Sequence, residues 1–161
     1  MGGAEIRETI RLSEMRPFVA KNQGYLLPRR SIFNKIIGDG DLELRFAAFL
    51  DDCGDIVSFA KNYLAVRFKL DYVKANGDIS NYYPDFFVKL PDGRLVVVET
   101  KGRVDLDVPL KMERLRQWCD DVNAATPAHS CDFIYVDEES FYAYKPTSFG
   151  QVLSAFREYK G

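Results

Sequence analysis

Residues 82–102 read YYPDFFVKLPDGRLVVVETKG, and this stretch decides the predicted fold. Two runs of β-favouring residues flank a Pro-Asp-Gly turn in its middle. Pro91 and Asp92 suit the central positions of a type I turn. Gly93 can adopt the left-handed conformation that closes a three-residue loop with a bulge. The stretch therefore predicts a β-hairpin.

The register of this hairpin decides which polar side chains meet. With Leu90 paired to Arg94, counting back along antiparallel strands places Asp85 opposite Glu99. Glu99 and Lys101 share a face because strand side chains alternate with a period of two. A two-residue Asp-Gly turn would instead move Asp85 by one position, onto the other face. We favour the three-residue loop because it gives the proline a role, and it predicts that the three charged groups converge.

Two converging carboxylates repel each other unless a cation or a proton lies between them. Mg²⁺ accepts hard oxygen ligands and keeps several waters. It would suit Asp85, Glu99 and a nearby backbone carbonyl such as that of Thr100, with Mn²⁺ as a substitute. Lys101 could then orient a water molecule or offset charge on the phosphorus. The alternative is a solvated ladder of ion pairs, which contributes little to stability. The apolar residues on both faces of the second strand favour the buried site.

The motif formed by Pro84-Asp85, a hairpin and Glu99-Thr100-Lys101 resembles the PD-(D/E)xK nuclease superfamily. Further stretches resemble the endonuclease domain of type III restriction enzyme Res subunits and related helicase-linked proteins. These stretches are FNK at 33–35, LELRFAAFLDD at 42–52, FAKN at 59–62 and KGRVDLDVPLK at 101–111.

The resemblance implies that Asp85 and Glu99 bind the metal and that Lys101 serves the water. It also implies an acidic residue on the preceding helix, for which Glu43 is the candidate. The glutamine-x-x-x-tyrosine motif of the RecB-like branch is absent, since Gln117 is followed four positions later by an aspartate. That branch is therefore disfavoured.

Composition limits the remaining possibilities. At 161 residues and 47% hydrophobic content, the chain is long enough for one domain with a full core. Three cysteines, an odd number without metal-type spacing, favour reduced thiols and a cytoplasmic setting. A pI near 5.5 predicts weak DNA binding by the chain alone, since affinity comes mainly from Lys and Arg. Arg103 and Lys111 are the candidate nucleic-acid contacts near the motif.

Hydrophobic periodicity and turn signals predict the order of elements. Residues 1–40 are interpreted as a linker with short strands, and residues 41–161 as the nuclease domain. The predicted order within the domain is helix, three antiparallel strands, helix, strand, strand and helix. The predicted segments are a helix from Asp41 to before Gly54, strands at 66–72, 86–90 and 95–101, a helix opening at 107–109, strands at 132–136 and 141–145, and a helix at 149–159. The fold class is thus α/β, with a mixed central sheet, flanking helices and a restriction-endonuclease-like core.

The sequence therefore predicts a Mg²⁺-dependent endonuclease domain that hydrolyses DNA and belongs to a restriction or helicase-linked system. A helicase-like motor or modification subunit, on the same chain or in the same complex, is the expected partner besides DNA. Two alternatives stay open: an inactive nuclease-like interaction module, and an RNA or repair nuclease that uses the same site.

Overall fold

A computed structural model describes residues 8–16, 24–38, 40–63, 66–102, 105–126, 128 and 130–156 of the chain. The strands are β1 (Tyr25–Leu26), β2 (Ile36–Ile37), β3 (Ser58–Lys61), β4 (Leu70–Val73), β5 (Ile79–Tyr82), β6 (Phe86–Lys89), β7 (Leu95–Lys101) and β8 (Cys131–Asp137). The helices are α1 (Asp41–Asp52), α2 (Val108–Ala125), α3 (Glu138–Tyr144) and α4 (Phe149–Ala155). None of the helices in these ranges is long and apolar enough to cross a bilayer.

The central sheet has four strands in the order β3-β6-β7-β8. Its first three strands pair antiparallel, whereas β7 and β8 pair in parallel. A parallel pair needs a long crossover connection, and α2 provides it. The predicted α/β class with a mixed central sheet and flanking helices is therefore confirmed.

The central hairpin has the predicted turn and register. Leu90 donates its N–H to the carbonyl of Arg94 at 2.9 Å, and Gly93 donates to the carbonyl of Leu90 at 3.0 Å. Gly93 has a φ of 89°, a conformation that is strained for any residue with a side chain. The paired positions run from Lys89 with Leu95 to Phe86 with Val98.

Each face of the sheet covers its own core. On the first face, Phe86, Val88, Val96 and Val98 pack beneath α1, α3 and α4. On the second face, Phe87 and Val97 pack against α2 and the small β4–β5 sheet. This arrangement explains why β7 is apolar on both sides, as a central strand must be. It also leaves β7 with one end at which charged residues gather.

The third antiparallel strand of the sheet differs from the prediction. The segment 70–82 forms its own two-stranded sheet, β4 with β5, around a turn at Gly77. The position beside β6 belongs to β3, a four-residue strand with a lysine at its end. A strand that short carries too few residues for alternation to be recognised in the sequence.

The segment 141–145 was predicted to be a strand, and this prediction is wrong. It lies in and just after α3, whose first turn is capped by Asp137, with its carboxylate accepting the N–H of Ser140 at 2.8 Å. Phe141 packs into the first core while Lys145 ends the helix in the left-handed conformation. A cap and one buried aromatic residue thus override the β preference of this aromatic segment.

Candidate active site

Asp85 lies immediately before β6, at the end of an inner strand of the central sheet. Its N–H donates to the carbonyl of Val98 at 3.2 Å, although Val98 already pairs with Phe86. Two residues of one strand thus oppose one residue of the other, as at a β-bulge. The predicted direct pairing of Asp85 with Glu99 is therefore not formed, because the bulge ends the register one residue early.

The carboxylate of Asp85 instead binds Thr100. Oδ2 accepts the backbone N–H of Thr100 at 2.8 Å and its hydroxyl at 2.6 Å. Because β6 begins only at Phe86, the N–H of Thr100 has no strand partner on this side, and the side chain of Asp85 takes its place. The prediction gave Thr100 a role through its carbonyl, whereas the bonds seen here come from its amide and hydroxyl. The carbonyl of Asp85 is held from the other side by the N–H of Asn62 at 2.7 Å.

Glu99 lies near the end of β7 and is only 8% exposed. It shares the second face with Val97, under the β4–β5 sheet and α2. Tyr82, the last residue of β5, donates its hydroxyl to Oε2 of Glu99 at 2.9 Å. A buried carboxylate without a donor would be costly, so this bond fixes Glu99 in place.

The two carboxylates influence each other electrostatically. Burial, and then the negative charge of Asp85, raise the pKa of Glu99 well above its usual range, against the effects of Tyr82, Lys101 and Lys111. Burial raises the pKa of Asp85 to about 6, with a further contribution from the charge of Glu43. The hydrogen bonds from Thr100 act in the opposite direction. The two buried acids therefore favour a bound proton or a nearby cation over the free charged form.

Two lysines lie beside this pair of acids. The ammonium groups of Lys101 and Lys111 lie 3.3 and 3.8 Å from the same carboxylate oxygen of Asp105. Both are only partly exposed, and both lower the pKa of Glu99. The structure thus brings Lys111, from the first turn of α2, to the strand end that carries Lys101. Arg103 lies outside the described residues.

Glu43 approaches from α1, on the first face of the sheet. Its Oε2 lies 2.8 Å from the ammonium of Lys61, the last residue of β3. Lys61 is 5% exposed. Burial by itself would lower the pKa of Lys61, but the adjacent carboxylate of Glu43 raises it above the usual value. The helix therefore places an acid near Asp85, and that acid forms an ion pair with a buried lysine.

Sequence reasoning missed three residues of this site: Tyr82, Lys61 and Asp105. A lysine directly after Phe59-Ala60 is a charge within an apolar run, which is a signal for a buried, paired group. Tyr82 stands directly before the motif, but its bond to Glu99 depends on how β5 packs. Asp105 has no signal beyond its position four residues after Lys101.

No group of three or more histidine, cysteine or acidic side chains in the described part of the chain is arranged to hold a metal ion. The candidate ligands are thus the two carboxylates of Asp85 and Glu99. Mg²⁺ is commonly bound by one or two carboxylates and completes its shell with water and substrate oxygens. No protein-family model, curated protein or solved structure matches this chain, so its function is inferred from these residues and their geometry.

Proposed function

We propose that this chain is a Mg²⁺-dependent endonuclease domain that hydrolyses DNA phosphodiester bonds on a restriction-endonuclease-like core. The observation that carries the proposal is the pair Asp85 and Glu99. Neither carboxylate has an ion-pair partner within the described residues, although each has a raised pKa and lysines lie nearby. Such a pair destabilises the folded chain unless a ligand compensates for it.

The donor set fits a hard divalent cation. Thr100 and Tyr82 each fix one carboxylate by donating to a single oxygen, Oδ2 of Asp85 and Oε2 of Glu99. The second oxygen of each acid accepts no hydrogen bond from the described residues and is available as a ligand. When bound, Mg²⁺ would polarise the phosphodiester and lower the pKa of a water nucleophile.

The remaining residues act on the substrate directly. Lys101 lies two residues beyond Glu99 on the same face of β7, so its ammonium can approach a phosphate that reaches the two acids. Lys111 lies next to it at the start of α2 and suits a neighbouring phosphate. In the free chain, Asp105 neutralises both ammonium groups. A substrate phosphate, which is also anionic, would take the place of the Asp105 carboxylate beside these two ammonium groups.

The charge of the chain supports a tethered role. With 22 Lys and Arg against 24 Asp and Glu, the chain has no net positive charge to attract phosphates, so its affinity for DNA should be low. A helicase-like motor or modification subunit would hold the domain at high effective concentration on DNA. This partner agrees with the resemblance to Res-type endonuclease domains.

A cleavage assay tests the proposal. The purified chain is incubated with plasmid DNA or with single-stranded RNA, in Mg²⁺, Mn²⁺ or EDTA. We expect metal-dependent DNA cleavage that Asp85→Asn abolishes and that Asp120→Asn, a change of an exposed acid on α2, leaves intact. Cleavage of RNA alone would favour the RNA nuclease. Binding of metal without cleavage of either substrate would favour the inactive module.

A further inference from the structure

The ion pair between Glu43 and Lys61 is unusual because its cation is almost completely buried. The side chain of Lys61 is 6% exposed and that of Glu43 is 20% exposed. The ammonium also lies 5.5 Å from the centre of the Tyr63 ring and 5.7 Å from that of Phe86. Moving a lysine out of water is costly, so its position depends on the carboxylate and these rings.

This buried cation lies next to the proposed metal ligands. In the β3–β6 ladder Lys61 pairs with Phe86, and the following N–H, from Asn62, binds the carbonyl of Asp85. Glu43 and Lys61 belong to the α1 face of the sheet, whereas Glu99 belongs to the α2 face. Asp85 directly precedes Phe86 in the chain, and the charges of both Glu43 and Lys61 act on its pKa.

We propose that Lys61 is a positioning residue that engages Glu43 and so leaves a single divalent-ion position, formed by Asp85 and Glu99. This inference rests on the proposed metal site. The carboxylate of Glu43 is neutralised by the ammonium at 2.8 Å, and that ammonium would repel a second cation beside it. Glu43 thus acts through Lys61 and is not itself a ligand.

Paired substitutions separate this role from that of a ligand. In Glu43→Gln, Lys61 keeps its charge without its partner, and its repulsion should weaken Mn²⁺ binding by at least about tenfold. Adding Lys61→Met removes that charge, so the double variant should bind Mn²⁺ with nearly wild-type affinity. If Glu43 is a ligand, the double variant stays as weak as the single one. The double variant lacks both charges of the ion pair, so it should fold more readily than Glu43→Gln, which keeps a buried lysine without its partner.

The experiment measures Mn²⁺ binding to the full chain by calorimetry, without substrate. We expect one ion per wild-type chain, loss of binding in Asp85→Asn, and recovery in the double variant. Two ions per wild-type chain, or weak binding by the double variant, would overturn the role of Lys61 while the metal site stands. Absence of Mn²⁺ binding by the wild-type chain would instead overturn the proposed function, and with it this inference. If Glu43→Gln does not fold, weak binding by the double variant relative to wild type still overturns the proposal, because it makes Glu43 a ligand.

Discussion

The hydroxyl of Tyr82 lies 2.9 Å from Oε2 of Glu99, and this bond links the small β4–β5 sheet to the acidic end of the central sheet. Glu99 is buried, and no other described residue donates a hydrogen bond to it. The β4–β5 sheet thus has a specific role in the site, since it supplies the donor that fixes one of the two proposed metal ligands.

Removing this hydroxyl should destabilise the protein. We expect Tyr82→Phe to lower the free energy of unfolding by about 1–3 kcal/mol, because a buried carboxyl group loses its donor. Tyr72→Phe is the matched control, since its hydroxyl binds a less buried acid, Asp107, at the longer distance of 3.2 Å. Urea unfolding measures the free energy of unfolding of both variants. An equal loss in the two variants would contradict a special role for Tyr82.

Replacing Lys101 should affect activity rather than stability. Its side chain is 28% exposed and its ammonium contacts Asp105, whose side chain is 47% exposed, so Lys101→Ala should change stability by less than about 1 kcal/mol. We expect Mg²⁺-dependent cleavage to fall at least about 100-fold. Lys89→Ala, at an exposed position of β6, should cleave normally. Near-normal cleavage by Lys101→Ala would show that this lysine is structural.

The stability of the metal-free chain should depend on pH through Asp85. Its pKa of about 6 in the folded chain exceeds the unfolded value of about 4. The folded state therefore binds the proton more tightly, and the free energy of unfolding should rise as pH falls from about 7 to about 5. The raised pKa of Glu99 acts in the same direction.

The control for this prediction is Asp85→Asn. This variant should be more stable than wild type at pH 8. Its free energy of unfolding, measured in urea without metal, should also depend less on pH. Saturating Mg²⁺ should stabilise wild type most at high pH, because it binds the deprotonated acids. A wild-type stability that falls steadily from pH 7 to pH 5 would contradict the assignment.

Binding of the isolated chain to DNA should be weak and sensitive to salt. We expect a dissociation constant of about 1 μM or weaker for a short duplex at physiological salt, with a steep further loss as salt increases. Lys111→Ala should weaken binding, whereas Lys89→Ala should not. Fluorescence anisotropy measures these effects. Tight, sequence-specific binding by the chain alone would refute the tethered-domain proposal.

Local chemistry explains which parts of the fold were predictable. The hairpin depends on the conformation of Gly93 and on its neighbours in sequence, so its register followed from the turn. The helix α2 was predicted closely, because Asp107 and Pro109 mark its start and a regular apolar stripe, including Met112 and Leu115, marks its buried face.

The features that could not be predicted from the sequence depend on contacts between distant segments of the chain. The bulge at Asp85 forms where the N–H of Asn62, the residue after β3, fixes the carbonyl of Asp85, so counting along one hairpin could not reveal it. Likewise, the ion pair of Lys61 with Glu43 joins residues of a strand and a helix that no sequence periodicity connects. The two acids of the motif, with Thr100 and Lys101, could be named from the sequence, but Tyr82, Lys61 and Asp105 could not.

The most direct test of the metal site is a crystal soaked in Mn²⁺ and examined by anomalous diffraction. We expect one strong peak about 2.1 Å from a carboxylate oxygen of Asp85 and from one of Glu99, with the ion pair between Lys61 and Glu43 intact. Absence of a peak between Asp85 and Glu99 at saturating Mn²⁺, or a peak only at other acids, would contradict the proposed metal site.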